Sequence, residues 1–313
     1  MGSELTVPKT LQEAIIFYAN PDRCLELLID VRWHDGVICP YCANKDVTFM
    51  ASVRRWQCKN KACRKQFSIK VGTVMEDSPI GLDKWLCAIW LSTNAKNGIS
   101  SYEIHRALGV TQKTAWFLLH RIRLAMHNGS LEKMSGTVEV DETFIGGKNI
   151  NKHSSKKQAG RGTVGKAVVM GLLEKGGHSP STVKTVIVKD TTRETLQVQV
   201  KKNIASGTEL HTDAHSGYTG LSAEYAHGVV DHAIEYVREN VTTNGLENFW
   251  SLLKRTIKGT YVAIGVPHLG AYLDEQAFRF NSRKDNDAGR FVKVVGAVDG
   301  KRLTYKQLTY KVK

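Results

Sequence analysis

Gly136-Thr137-Val138-Glu139-Val140-Asp141-Glu142-Thr143-Phe144-Ile145-Gly146-Gly147 is the stretch on which the fold turns. From Thr137 to Asp141 apolar and polar residues alternate, the period of a strand with one buried face, and an acid stands at its end. Working outward, 167–173 and 182–188 are two further strand-like runs, 192–204 has a helical pattern, and 209–212 is a short strand ending at Asp213. Residues 229–237 read as another strand. Residues 244–257 read as a helix that can bury Leu246, Phe249, Trp250, Leu253 and Ile257 along one side.

Three strands, a helix, a strand and a late helix is the element order of a ribonuclease H-like α/β domain with a mixed sheet. In that order one carboxylate leaves the first strand, a second follows the fourth, and a third sits on the late helix. Each position has a competitor. Asp141 shares its strand face with Glu139 and adjoins Glu142. Asp213 lies in the polar run His211-Thr212-Asp213-Ala214-His215, whose histidines read as polar neighbours and not metal ligands. Glu247 stands three residues after Asn244, as in a capping box. Lys254 follows Glu247 by two helical turns on the same face, with Arg255 beside it. Three carboxylates suit Mg2+ or Mn2+, hard ions that take oxygen ligands and keep waters for substrate. A pair of such ions can serve an in-line displacement at phosphorus.

Upstream the decisive residues are cysteines. Cys39-Pro40-Tyr41-Cys42 is followed, after fifteen residues, by Cys58 and then Cys63. Pairs at this spacing form knuckles whose thiolates converge on one tetrahedral Zn2+ with no open position, a structural site. Between them, 47–49 and 55–58 read as short strands. Cys24 and Cys87 sit among apolar residues as small core side chains. Residues 8–36 read as helical, with Leu11, Ile15, Tyr18, Leu25, Leu28 and Ile29 near the helical period.

Residues 80–128 return to helix. Leu82, Trp85, Leu86, Ile89 and Trp90 form a stripe, and Ser100 with Glu103 forms a capping box opening a short helix that ends at Leu108-Gly109. Thr111 caps the next helix, in which Ala115, Leu118, Leu119 and Ile122 recur. Helix, glycine turn, helix is the helix-turn-helix pattern. Docked in the usual way, it aims Thr111, Gln112, Lys113 and Thr114 at base edges, and Arg106, Arg121 and Arg123 at phosphates. The ribbon's Lys59, Lys61 and Arg64 are further phosphate contacts.

Charge agrees with a nucleic-acid partner. Lys and Arg number 44 against 30 Asp and Glu, a net charge of +14 over 313 residues, the footprint of a protein that meets a polyanion. The stretch 148–166 carries six Lys or Arg and no acid. No apolar run approaches the roughly 18–20 residues that span a bilayer, so no membrane partner is expected. Cysteines at metal spacing suit a reducing compartment, here the cytoplasm and its nucleoid. The expected architecture is multidomain α+β: N-terminal helices over 1–36, a zinc ribbon over 37–75, a helical region with the helix-turn-helix over 76–130, a catalytic domain over 134–285 and a C-terminal tail over 286–313. Residues 1–130 hold both candidate DNA-binding modules and none of the candidate catalytic acids.

Four motifs together resemble a known family. They are Val140-Asp141-Glu142-Thr143-Phe144-Ile145-Gly146-Gly147, Thr212-Asp213 with Tyr218, 243–255 with Asn244, Glu247, Lys254 and Arg255, and the closing run Phe278-Arg279-Phe280-Asn281-Ser282-Arg283-Lys284. In this order, behind a zinc ribbon, they resemble the DDE transposases of bacterial insertion sequences. The resemblance implies a ribonuclease H-like catalytic domain, Mg2+ or Mn2+ at Asp141, Asp213 and Glu247, and strand transfer at terminal inverted repeats by a homo-oligomer on DNA. It selects Asp141 over its neighbours. It leaves Asn244 as a rival to Glu247, because the family pattern varies at that position. Two other readings use the same residues: a catalytically silent DNA-binding regulator derived from such an element, and a structure-specific nuclease on the same fold.

Overall fold

The computed structural model describes residues 7–127, 132–147, 164–177, 179–230 and 241–310, together with Gly129 and Ser154. The chain forms two compact units, one of residues 1–127 and 285–313, the other of 128–284. Most of the basic stretch 148–166 lies outside the described residues.

The first unit begins with two helices where the sequence pattern suggested one helical stretch. Helix α1 (Leu11–Tyr18) stops before Asn20, whose side chain accepts from the N–H groups of Asp22 and Arg23 and opens α2 (Pro21–Arg32). Asn followed by Pro is a cap followed by a first-turn residue, and that chemistry outranks the running apolar stripe. The break exposes Leu11 and Ile15 and buries Tyr18, Leu25 and Leu28. Strands β1 (Val47–Met50), β2 (Arg55–Cys58) and β3 (Gln66–Phe67) form an antiparallel sheet in that order. Its small core is aromatic: Trp56 packs 5.3 Å from Trp33 and 5.8 Å from Phe67, centroid to centroid.

Helix α3 (Leu82–Asn94) buries Trp85, Leu86, Ile89 and Trp90. The helix pair that follows matches its sequence signals. Ser100 and Glu103 make the capping box of α4 (Ser101–Leu108), Gly109 takes the left-handed conformation at φ 60°, and Thr111 caps α5 (Gln112–Met126). Only a residue without a side chain adopts that turn cheaply.

The second unit holds β4 (Thr137–Ile145), β5 (Ala167–Lys175), β6 (Thr182–Val188), α6 (Arg193–Asn203), β7 (Glu209–Asp213), β8 (Ala226–Val230), α7 (Asn244–Thr256) and α8 (Leu269–Asn281). The sheet order is β6-β5-β4-β7-β8. The β4, β5 and β6 pairs are antiparallel, while β7 and β8 run parallel to β4. This is the ribonuclease H-like mixed sheet. Strand β8 starts three residues before the expected 229, and residues 231–237 of the expected strand lie outside the described residues.

Apolar side chains fill both faces. Val138, Val140, Met170 and Leu172 pack with Leu196 and Val200 of α6. On the other face Val169, Leu173 and Val183 meet Leu246, Phe249, Trp250 and Leu253 of α7, with Leu269 and Leu273 of α8. Spacings of three and four on α7 are what place those four residues on one side. The closing motif ties the sheet edge: Asn281 accepts from the Val183 N–H at 2.7 Å and donates to its carbonyl at 3.0 Å, as a neighbouring strand would.

The segment expected as a tail, 286–313, returns together with Asp285 to the first unit. Helix α9 (Asp287–Gly296) sets Phe291 5.6 Å from Tyr18 and 5.4 Å from Trp90. Val74 N–H donates to the Val298 carbonyl at 3.0 Å, and Arg32 pairs with Asp299 at 2.8 Å. A short helix α10 (Tyr305–Thr309) follows.

Candidate functional site

In the second unit β4 and β7 are parallel neighbours, with Thr137 opposite Glu209 and Glu139 opposite His211. The ladder stops there; Asp141 lies two residues beyond Glu139 on β4, and Asp213 two residues beyond His211 at the end of β7. Asp141 faces α7. Its Oδ2 accepts from Trp250 Nε1 at 2.8 Å and its Oδ1 from the Glu142 N–H at 2.8 Å. Room for the indole comes from Gly171, which pairs with Asp141 across β5. A Cβ there would lie 2.5 Å from Trp250 Cζ2, so any larger residue lifts α7 away from the sheet.

Glu247 stands exposed in the first turn of α7, and Lys254 and Arg255 stand exposed in its last. Burial pushes the Asp141 carboxyl above the usual range, the indole and amide bonds oppose that, and the charges of Asp213 and Glu247 push it up again; the net shift is upward. Asp141 therefore feels the charge of both other acids. Their carboxylates do not all lie within 4.8 Å of one another; among the described residues the four cysteines alone meet that spacing. Asn244 is exposed at the start of α7, where its N–H donates to Thr242 Oγ1 at 3.0 Å.

The neighbours of Asp141 divide by face. Glu139 is buried and engaged with Lys175 and with the Leu246 N–H. Glu142 points to the opposite face, where Tyr218 donates to its carboxylate, and burial lifts its pKa to about 7. Both histidines have hydrogen-bond partners outside the three acids. His211 Nε2 meets Glu209 Oε1 at 3.1 Å, and His215 Nδ1 accepts from the Gly217 N–H at 3.1 Å. All the remaining donors are carboxylate oxygens, the set a hard divalent cation prefers. A cation would also relieve the like-charge crowding on Asp141. Mg2+ or Mn2+ fits this donor set.

In the first unit the cysteines converge as their spacing predicts. Cys39 and Cys63 Sγ lie 3.8 Å apart, and Cys42 and Cys58 Sγ 3.6 Å. Four thiolates about 2.3 Å from one Zn2+ stand about 3.8 Å from each other, so the cage has the size of the ion. Each pair closes with a left-handed residue, Ala43 at φ 57° and Arg64 at φ 48°. Asn44 and Asn60 side-chain amides approach Cys58 and Cys42 Sγ at 3.8 and 3.9 Å. Burial works to raise the Cys58 pKa, yet hydrogen bonds from the Asn60 amide and neighbouring groups bring it down to about 7.

The helix pair keeps only part of its expected surface. Lys113 is exposed, its Nζ 4.7 Å from the Tyr305 ring centroid. Gln112 reaches back to Ser101 Oγ at 2.9 Å, and Thr114 is held by Thr111 Oγ1. Arg106 is exposed, but Arg121 and Arg123 are buried, 5% and 2% exposed. Arg121 donates to the carbonyls of Leu303 at 3.0 Å and Glu76 at 2.6 Å, and lies 4.7 Å from the Phe117 centroid. Burial lowers its pKa. These two arginines belong to the interior of the first unit and do not face phosphates. The returning segment 285–313 covers α5, and nothing near positions 121 and 123 signals that.

Among the described residues no helix is long and apolar enough to cross a membrane. Residues 133–281 match the family described as ISXO2-like transposase domain, and residues 19–66 the transposase zinc-ribbon domain. A relative from Halobacterium salinarum, named as an uncharacterized protein in transposable element ISH50, is 25% identical over 272 residues, 82% of this chain and 87% of the relative. Both matched regions coincide with a site built above, the cysteine cage in one and the sheet with its acids in the other. The chain belongs to the insertion-sequence DDE transposases that carry a zinc ribbon ahead of a ribonuclease H-like domain.

Proposed function

We propose that this transposase cuts DNA at the terminal inverted repeats of its element and joins the freed ends to target DNA, with Asp141, Asp213 and Glu247 holding Mg2+ or Mn2+. The observation that carries this reading is the placement of Asp141 and Asp213 on neighbouring parallel strands, with Glu247 on the helix whose Trp250 bonds Asp141. Held by these three acids, divalent metal would supply activation of the attacking oxygen and charge stabilisation of the leaving one.

The chain's own residues supply placement. Trp250 and the Glu142 N–H fix both oxygens of Asp141, so its carboxylate does not have to reorganise when metal and DNA arrive. Lys254 and Arg255, two turns along α7 from Glu247, offer cations to the phosphates beside the scissile bond. Glu247, whose charge bears on Asp141, is favoured over Asn244 as the third ligand. In the first unit the Zn2+ cage at Cys39, Cys42, Cys58 and Cys63 shapes the ribbon. Gln112, Lys113 and Thr114 open the helix available to base edges. Several copies assemble on paired ends, and the working domains are the ribbon, the helical region and the 134–285 catalytic domain.

Asp141→Asn, Asp213→Asn and Glu247→Gln should each lower Mg2+-dependent cleavage of an end-sequence duplex by at least about a thousandfold, on the scale by which metal generates a nucleophile at neutral pH, while gel-shift affinity stays near that of the parent. Full cleavage by Glu247→Gln with loss in Asn244→Ala would transfer the third role to Asn244. A parent protein that binds ends and never cuts them is the silent regulator. One that cuts branched DNA without end preference is the nuclease.

A further inference from the structure

We infer that Glu139 is a positioning residue for catalysis: its carboxylate seats the start of α7 and thereby sets where Glu247 stands relative to Asp141. The inference rests on the reading of Asp141 and Glu247 as metal ligands.

The first N–H groups of a helix have no partner within it, and Thr243 gives α7 no side-chain cap. Glu139 takes that place from 107 positions away, its Oε2 accepting from the Leu246 N–H at 3.0 Å. The fit is close. A Cβ on Gly245 would lie 2.7 Å from the same oxygen and 3.2 Å from both Leu173 methyl groups. The Glu139 side chain is only 2% exposed, a costly place for a charge without partners. It has two: the positive end of α7, and Lys175, whose Nζ is 3.3 Å from Oε1. Lys175 lies 3.4 Å from His211 Nδ1, which also receives the Thr242 N–H at 3.4 Å. The chain entering α7 is thus held at two points from β4, β5 and β7.

Glu139 and Asp141 stand on one face of one strand, two residues or about 6.7 Å apart. Leu246 and Glu247 are consecutive on α7. One rigid strand thus fixes both the helix seat and the first ligand, and the seat sets the distance to the third. Partners that orient metal ligands typically carry a ten- to hundredfold effect on metal affinity or activity.

The test uses the full chain with Glu139→Ala, Glu139→Gln and Gly245→Ala, beside Asp141→Asn. The readouts are Mn2+ affinity by electron paramagnetic resonance, single-turnover cleavage of an end-sequence duplex, and end binding. Glu139→Ala should bind DNA like the parent, bind Mn2+ about tenfold more weakly and cut about a hundredfold more slowly. Glu139→Gln, whose amide oxygen can still accept the Leu246 N–H, should recover most of both. A merely architectural Glu139 would lower the folded fraction and leave Mn2+ affinity per folded molecule unchanged, which overturns the inference. So does a glutamine variant no better than alanine. Should Glu139→Ala not fold, Gly245→Ala decides the matter: unchanged Mn2+ affinity overturns the inference, weakened affinity supports it. Cleavage by Asp141→Asn would instead overturn the ligand reading itself.

Discussion

Helix α5 carries Arg121 and Arg123 and buries both, whereas α7 carries Lys254 and Arg255 and exposes both. In sequence the two look alike, each an apolar stripe with cations near its C-terminal half. The difference lies in what covers them. Helix α5 packs against α3, α4 and α9 of the first unit, and its Arg121 donors serve the carbonyls of Glu76 and Leu303. Helix α7 lies on one face of a sheet, so its opposite side stays in solvent. A basic residue on a helix reports a phosphate contact only where the element has a free side.

The largest effect expected from this contrast is on α5. Arg121→Ala leaves two carbonyls without their donor and should destabilise the first unit by about 3 kcal/mol, read as a lowered urea midpoint. A variant that unfolds like the parent but binds DNA weakly would restore Arg121 to the surface and break the comparison.

Next comes the acid under the sheet that α7 covers from the other side. Glu142 has a folded pKa of about 7, raised by burial from an ordinary value of 4.5. Between those values the unfolded chain has lost the proton that the native state keeps, so stability should fall as pH rises through that window, by about 3 kcal/mol in all. Thermal melts of the metal-free protein from pH 4 to 8 measure it. Glu142→Gln, which still accepts from Tyr218, should flatten the slope; an unchanged slope would assign the loss to other groups.

The smallest effect is on α7. Arg255→Ala should shift stability by no more than about 0.5 kcal/mol. It should weaken binding to all DNA sequences alike and reduce the slope of log affinity against log salt by about 0.9. A loss of stability instead would erase the distinction from α5.

Much of this architecture is legible in the sequence because it rests on local rules. Cysteine spacing fixes the cage, Ser100, Glu103, Gly109 and Thr111 fix the helix pair, and alternation followed by helical period fixes the order of sheet and helices. What escapes is every feature made by partners far apart in the chain. The burial of Arg121 depends on a carbonyl 182 positions away, and the seat of α7 on a carboxylate 107 positions away. Trp250 reads as one more apolar residue until Gly171 across the sheet makes room for its indole beside Asp141. Asn20-Pro21 is the one local signal with the force to divide the first helical stretch, and its cap chemistry is plain in the residues themselves.

The return of residues 285–313 to the first unit has a consequence for synthesis. The ribosome makes α1 to α5 early, then the whole of 128–284, and only then the helix that puts Phe291 between Tyr18 and Trp90. At about 5–20 residues per second the early helices wait roughly 10–30 s with Tyr18 and Trp90 lacking Phe291 and Arg121 lacking the Leu303 carbonyl. The unit made continuously, 128–284, can close first, although it emerges second. A nascent chain halted within it would display the ribbon and helix pair without the segment that completes their core, and a fragment ending near residue 130 shares that state. The core of the first unit is in this way complete only after translation past residue 285, by which time the acids of the second unit have been made.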